Sequence, residues 1–491
     1  MKFLRKAALV TAFVMAAAVT GCSGKEKTEK QQVMILKPAE PVTLTLWHYY
    51  NGAQQAAFNS IVDEFNRTAG KEAGVYVEGY SRGSVSDLEK AVRDSLNGEV
   101  GAEQMPDIFS SYADTAFSVM QKGALADLCT YLTKEDLSEY VDSYIDEGFF
   151  SDDGALYLFP VAKSTEIMMI NKTDWEPFAA AEGVTLDDLA TIEGVVNTAE
   201  RYYKWTDAAT PDIPDDGKAF YGRDSMSNYF VISLRQMGTE VFDSFNGNTI
   251  VNIEKNQIRR LWENYYVPYI KGYFASYGSF RSDDVKTGDI IAYTGSSSSS
   301  TYFPDKVELD ESSYPIEYIV LDAPIMASGE KFRVQQGAGM AVTKSDESRE
   351  LAAVIFLKWF TQKEHNLEFV GSSGYLPVRK DANSIEEFDS VIRDKDLKIN
   401  QKSYDCFKSV MESIGSSNFY TSMTFDNEYK ARKVLEYNLS DKASADREEI
   451  IKQIESGKSL EEAAASYLTD EAFEEWYGSF SSALKEAAGV S

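Results

Sequence analysis

Apolar positions in the first third of the chain change period several times. Residues 42–47 (VTLTLW) alternate as a buried strand does, and Ala57, Ile61, Val62 and Phe65 within 53–67 then fall at helical spacing. A second strand is predicted over 75–80, and a helix over 86–97 with Leu88, Val92 and Leu96 on one face. PDIF (106–109) reads as a third short strand, followed by a helix that ends at Gly123. This alternation is the signature of βα units feeding a parallel sheet. Segments 155–160 and 167–171 continue it after a Gly/Asp-rich stretch at 148–154. The middle is more helical and aromatic, over 201–205, 229–237 and 258–273. Strand-like runs recur at 290–293, 316–321 and 338–342, and a strong helix is predicted over 348–360. The last hundred residues read as helical, with a polar Lys/Glu-rich stretch near 441–463. No internal repeat is visible, and Ser296–Ser300 is the only low-complexity run.

The N-terminus follows a different logic. Lys2, Arg5 and Lys6 precede an apolar run over 7–20, shorter than the roughly 20 residues of a membrane span. That arrangement reads as a signal peptide over 1–21. Its end, Val19-Thr20-Gly21-Cys22, is similar to a bacterial lipobox, which would make Cys22 a lipidated first residue. An ordinary secretory signal with a chance cysteine is the alternative. Residues 22–41, rich in Lys, Glu, Gln and Thr, read as a flexible tether. No later segment is apolar enough to span a membrane, so a soluble globule held outside the cell is expected.

Composition narrows the chemistry. The 491 residues carry 49 Lys+Arg against 78 Asp+Glu, a formal charge of −29. Nucleic acid binding needs a basic face, so it is excluded as a general role, and so is a polybasic hold on anionic lipid. Three cysteines exclude a disulfide-dense scaffold; Cys129 and Cys406 either pair or are both buried thiols. His48 and His365, the only histidines, leave little room for a His-rich metal centre. There is no HExxH, P-loop or CxxC, and no cofactor is implied.

Several segments, in order, resemble the extracellular solute-binding proteins of ABC importers, the class that includes bacterial maltodextrin- and glycerol-phosphate-binding proteins. They are LTLWHYY (44–50) leading a helix that ends DEFN (63–66), MPDIFSSYAD (105–114), KGALADL (122–128) and FPVAKSTEIMMINKTDW (159–175). TGDIIAYTGSSSS (287–299), QQGAGMAVTKSDESRELAAVIFLKWFT (335–361) and GYLPVRKDA (374–382) complete the series. The resemblance implies an α/β, two-lobed periplasmic-binding-protein fold of type II. Each lobe would be a mostly parallel sheet flanked by helices, with the ligand cleft at the hinge. Lobe 1 would comprise 43–160 plus 322–375, and lobe 2 would comprise 161–321 plus 376–491. It further implies a monomer that does no covalent chemistry and delivers a small carbohydrate or polyol to an ABC permease, with a lipid on Cys22 as its membrane contact.

The resemblance also places cleft residues. The loop after the first strand offers Trp47, His48, Tyr49, Tyr50 and Asn51, and the loop after the second offers Ser81. Ser110, Ser111, Tyr112 and Asp114 follow the third strand. Lys163, Ser164 and Thr165 lie on the first crossing between lobes. Asn228 and Tyr229 come from the middle of the chain, Gly295, Ser296 and Ser297 from the serine-rich turn, and Gly337, Gly339 and Tyr375 from the late segments. Tyrosine faces with hydroxyls to orient a sugar ring suit a carbohydrate. In the maltodextrin binders, however, the positions matching Ser111 and Ser297 carry stacking tryptophans, and that matching Ser164 a carboxylate. Three serines, with Lys163 beside one of them, instead fit glycerol phosphate, a glycerophosphodiester or a sugar phosphate. Transport and sensing by a receptor are equally compatible with this reading.

Two further motifs compete. Gly79-Tyr80-Ser81-Arg82-Gly83 matches the G-x-S-x-G nucleophile elbow of exported serine hydrolases, for which His365 is the only downstream histidine. Asp207, Asp212, Asp215 and Asp216 form an acidic loop that reads either as solvated or as a calcium site, without EF-hand spacing. Gly337-Ala338-Gly339 lacks the third glycine of a dinucleotide fingerprint and reads as a tight turn.

Overall fold

A computed structural model describes residues 36–490 apart from 152, 246, 247, 415 and 416. The leader, Cys22 and the tether up to residue 35 lie outside the described residues. Two sheets frame a cleft. Strands β1 (Val42–His48), β2 (Val75–Ser81), β3 (Ile108–Ser111) and β4 (Phe159–Pro160) belong to the first. The second is built from β5 (Glu166–Asn171), β6 (Tyr221–Arg223), β7 (Ala292–Ser296) and β8 (Tyr318–Asp322), after which β9 (Gly339–Val342) returns to the first. The strand orders are β2-β1-β3-β9-β4 and β8-β5-β7-β6.

Pairing within β2-β1-β3 is parallel, with Val42 opposite Val75 and Leu46 opposite Ile108. Elsewhere the expected parallel predominance gives way to mixed sheets. β9 runs antiparallel to both β3 and β4, and β5 antiparallel to both β7 and β8. The reason is the route of the chain. A strand that arrives from the other lobe starts at the cleft and runs away from it, opposite to its neighbours. The remaining strands therefore all end at the cleft, where open α/β sheets present their ligand-binding loops.

The period-two pattern of β1 decides what each face meets. Leu44 and Leu46 are fully buried and join Phe58, Ile61 and Phe65 of α1 (Gly52–Arg67) in the first core. Helices α2 (Val85–Asn97) and α3 (Ala113–Gln121) complete the early part of this lobe. In the second lobe, α4 (Met226–Gln236) and α5 (Lys255–Ile270) form a separate core. Helices α6 (Glu347–Phe360) and α7 (Lys363–Ser373) follow β9 back into the first lobe. The long α8 (Glu428–Glu455) and α9 (Asp470–Ala488) close the second core. Cys129 belongs to the first core and Cys406 to a third cluster beneath the second sheet, and no disulfide joins them. Among the described residues no helix is long and apolar enough to cross a membrane.

Three segments connect the lobes and are laced together. Lys163 N–H donates to Leu376 O at 3.1 Å, and Leu376 N–H donates back at 2.5 Å. Ser164 and Gln336 exchange the same pair of bonds, each at 2.9 Å. The second crossing thus lies around 336 rather than near 322, because β8 is still part of the second sheet and residues 332–334 pair with 418–420. Gly337 has φ +87, and a Cβ there would stand 2.6 Å from Ala162 O, so the braid requires glycine. Lys163 is 1% exposed; its Nζ donates to Glu147 Oε2 at 2.5 Å and to Gly337 O at 2.7 Å.

Removing one partner of a buried pair leaves the other charge stranded, at a cost of about 3–5 kcal/mol. Lys163→Ala should lower unfolding free energy by that order in urea denaturation. The double replacement Lys163→Met with Glu147→Leu should recover most of the loss.

Candidate ligand-binding cleft

The first-lobe wall is built where β1 and β3 end. Tyr49 and Tyr50 follow β1. The Tyr49 and Tyr375 hydroxyls share a hydrogen bond at 3.1 Å, and Tyr375 stacks on Phe369 with ring centroids 5.9 Å apart. Tyr50 is buried against Phe58 and Phe369, and the Ser81 hydroxyl donates to its carbonyl at 2.8 Å. Tyr50 N–H donates to His48 Nδ1 at 3.1 Å, and burial pushes the fully enclosed His48 down to about 4, so the imidazole is neutral. Tyr112 caps α3, with the Ser111 hydroxyl donating to its carbonyl at 2.8 Å and Asp114 in the first turn. Burial holds the Tyr49, Tyr50, Tyr112 and Tyr375 phenols well above their ordinary pKa, with neighbouring phenols adding to the effect. At neutral pH they are uncharged donors and acceptors.

The second-lobe wall centres on Glu166, the first residue of β5. Its carboxylate grips the Arg223 guanidinium and accepts from Asn228 Nδ2 at 3.2 Å. Asn228 Oδ1 in turn accepts from Arg432 Nη2 at 3.3 Å. Arg432 stands one helical turn after Glu428 on α8, its Nη1 3.9 Å from Glu428 Oε1. Glu428 accepts from the Ser422 hydroxyl at 3.0 Å, while its other oxygen is buried without a hydrogen bond.

The walls meet on both flanks. On one, Tyr302 OH donates to Asn51 Oδ1 at 2.9 Å and Gln54 Nε2 to Ser298 O at 3.2 Å. On the other, Gln121 Nε2 donates to Asp426 Oδ1 at 2.6 Å, and Arg93 lies 4.8 Å over the Tyr429 ring. Between them, Glu89 of α2 and Asp114 of the first lobe face Glu428, Arg432 and Lys433 of the second. Burial, reinforced by Asp114, raises Glu89 to about 7. Burial, opposed by Arg432 and reinforced by Asp114, raises Glu428 to about 8.

The expected residues distribute unevenly over this geometry. Tyr49, Tyr50, Tyr112, Asp114 and Tyr375 come together on one wall and Asn228 stands on the other. Tyr229 turns away, donating to Leu261 O at 2.9 Å within the second core. Trp47 projects from the face of β1 opposite to Leu46 and His48. It is 2% exposed beneath the Arg82 guanidinium, 3.9 Å from its ring centre, and lines an outer groove of about 730 Å³ with Gln104, Met105 and Arg349. Lys163, Ser164 and Gly337 are consumed by the braid. Thr165 OH donates to Val334 O at 2.9 Å, and Ser297 N–H to Thr165 O at 2.7 Å. Gly295 is held close by Asp224, whose Oδ2 would lie 2.4 Å from a Cβ, and Gly339 pairs with Ser111 and Pro160. The serine-rich run forms a 3₁₀ turn over Ser297–Tyr302: Ser297 and Ser300 are buried, and the Ser296 and Ser298 hydroxyls are 2.9 Å apart.

The competing motifs are absorbed by structure. The Ser81 hydroxyl is spent on Tyr50 O, and the ring of His365 on α7 is stacked on Trp359 of α6. In the acidic loop, Asp207 accepts from Asp216 N–H at 2.9 Å and Asp215 from Leu460 N–H at 2.9 Å, which is loop capping. Sequence reasoning missed Glu89, Glu166, Arg223, Glu428 and Arg432. One signal was available: Glu166 is a lone carboxylate ahead of four apolar strand residues, and such a group demands a buried cation. Glu428 and Arg432 look like any solvated i, i+4 pair.

No curated protein matches the chain by sequence. Solved structures resemble it in fold. The cyclic alpha-maltosyl-1,6-maltose binding protein of Arthrobacter globiformis is 19% identical, with 91% of this chain and 100% of that chain covered and a TM-score of 0.61. UgpB of Mycobacterium tuberculosis, in complex with glycerophosphocholine, is 17% identical over 91% and 99% of the two chains, TM-score 0.61. An ABC transporter solute-binding protein of Agrobacterium radiobacter, in complex with ribitol, is 18% identical over 90% and 100%, TM-score 0.57. The sequence pattern of bacterial extracellular solute-binding proteins matches residues 60–398. The two-lobed fold with its cleft at the hinge, together with that match over more than half its length, places this chain in the bacterial extracellular solute-binding protein family.

Proposed function

We propose that this protein captures a neutral carbohydrate or polyol, held at the cell surface through a lipid on Cys22, and passes it to the permease of an ABC importer. The observation that carries the ligand class is the make-up of the cleft: phenols of Tyr49, Tyr112 and Tyr375 beside the carboxyls of Glu89, Asp114 and Glu428. Sugar hydroxyls donate to an ionised carboxyl and accept from a protonated one, and tyrosine faces cover the apolar faces of the ring. The cation on which the phosphate reading rested, Lys163, is held by Glu147. Capture works by closure: a ligand that touches both walls favours the closed form by its differential affinity, and the closed monomer is what the permease receives.

A thermal-shift panel of neutral mono- and oligosaccharides and polyols, set against glycerol phosphate, glycerophosphodiesters and sugar phosphates, tests this reading. A neutral ligand at a hundred times its Kd should stabilise the protein by about 2.7 kcal/mol. Tyr112→Ala and Asp114→Asn should each weaken that binding at least tenfold, about 1.4 kcal/mol. Stabilisation by phosphates alone would overturn the ligand class.

Glu89 and Glu428 also make the ligand-free protein sensitive to pH. Both carboxyls are held above the ordinary value of 4.5, at about 7 and about 8. The folded state therefore keeps protons that the unfolded chain releases, and the resulting stability is full below pH 4.5 and lost as pH climbs through the raised values. Unfolding free energy should fall between about pH 5 and about pH 8. Glu428→Gln should flatten the upper part of that decline.

A further inference from the structure

Helices α1 and α7 pack side by side on the back of the first lobe. Their outer edge brings together Glu64 of α1 with His365 and Glu368, which are three residues apart on α7. One ligand-type atom from each lies within 4.8 Å of the others, and this is the one such group of three among the described residues. The imidazole is oriented before any ion arrives: it stacks on Trp359 with centroids 3.8 Å apart and planes 26° from parallel. His365 Nδ1 is buried and makes no hydrogen bond, although Glu64 Oε2 stands only 4.0 Å away. That separation is too wide for a hydrogen bond. A tetrahedral cation bonded to nitrogen and oxygen at about 2.0–2.2 Å each would draw the two atoms to roughly 3.4 Å, a movement within reach of the Glu64 side chain. Glu368 also receives Lys395 Nζ at 2.7 Å. A carboxylate has two oxygens and about four lone-pair sites, so it can serve an ammonium and an ion together.

We propose that Glu64, His365 and Glu368 bind one divalent transition-metal ion of the zinc class. Imidazole with two carboxylates is a donor set for such ions, and three protein ligands leave a position for water. The ion joins α1 to α7. These are the helices that begin just after Tyr49 and Tyr50 and end just before Tyr375, so it braces the first-lobe wall from behind. This proposal is independent of what the cleft binds.

The test is zinc titration of the chelator-treated full chain by calorimetry, with cobalt as a second, spectroscopic probe. The expected result is one zinc per chain, a higher thermal midpoint, and cobalt quenching of tryptophan emission through Trp359. His365→Phe keeps the stack on Trp359 but removes the ligand, and it should lower zinc affinity at least tenfold and abolish the quenching. Glu64→Gln should lower affinity by a similar factor while leaving the metal-free melting temperature near that of the parent. Absence of zinc uptake overturns the proposal, and so does uptake unchanged in both variants.

Discussion

The buried ammonium of Lys163 is the constraint on which the two-lobed arrangement rests. It sits where three chain segments cross, and it reaches Glu147 of the first lobe and the carbonyl of Gly337 on a neighbouring crossing. A desolvated charge tolerates little displacement, because each lost partner costs several kcal/mol. The ladder between Lys163 and Leu376 and between Ser164 and Gln336 then aligns the crossings, and Gly337 admits the backbone approach that the ladder needs.

Strand direction follows from the same crossings. Segments that leave a lobe run toward the cleft and those that enter it run away, which makes both sheets mixed and gathers the loop ends at one place. The first-lobe wall is supplied by short loops after β1 and β3, with Tyr375 arriving from the third crossing. The opposite wall rests on the Glu166–Arg223–Asn228–Arg432 network, whose charges are satisfied largely within their own lobe. Glu89 and Glu428 are different, since burial raises both carboxyls and each also feels charges of the other lobe, Arg432 and Lys433 for Glu89 and Asp114 for Glu428.

The alternation of strands and helices in the first lobe was legible from periodicity alone, because apolar spacing reports which face meets a core. The fate of individual polar residues was not. Lys163 beside Ser164, taken with Ser111 and Ser297, has the composition of an anion cradle, yet its ammonium is committed to Glu147, 16 residues earlier. Trp47 stands next to Tyr49 in sequence, but the pleat of β1 sends it to the outer face under Arg82. Glu428 and Arg432 carry no local sign of their position, because it is the return of a helix more than 300 residues after Tyr112 that sets them against the first lobe.

The sequence by itself determined the class of fold, the α/β alternation, the family resemblance and the tyrosines of the first-lobe wall. These depend on local spacing and on loops adjacent to predicted strands. Only the tertiary structure decided where the second crossing lies, which charges are spent inside the hinge, and which carboxyls from opposite lobes face each other. Those outcomes depend on contacts between residues far apart in the chain, and desolvation and charge pairing act on distance in space rather than on distance in sequence.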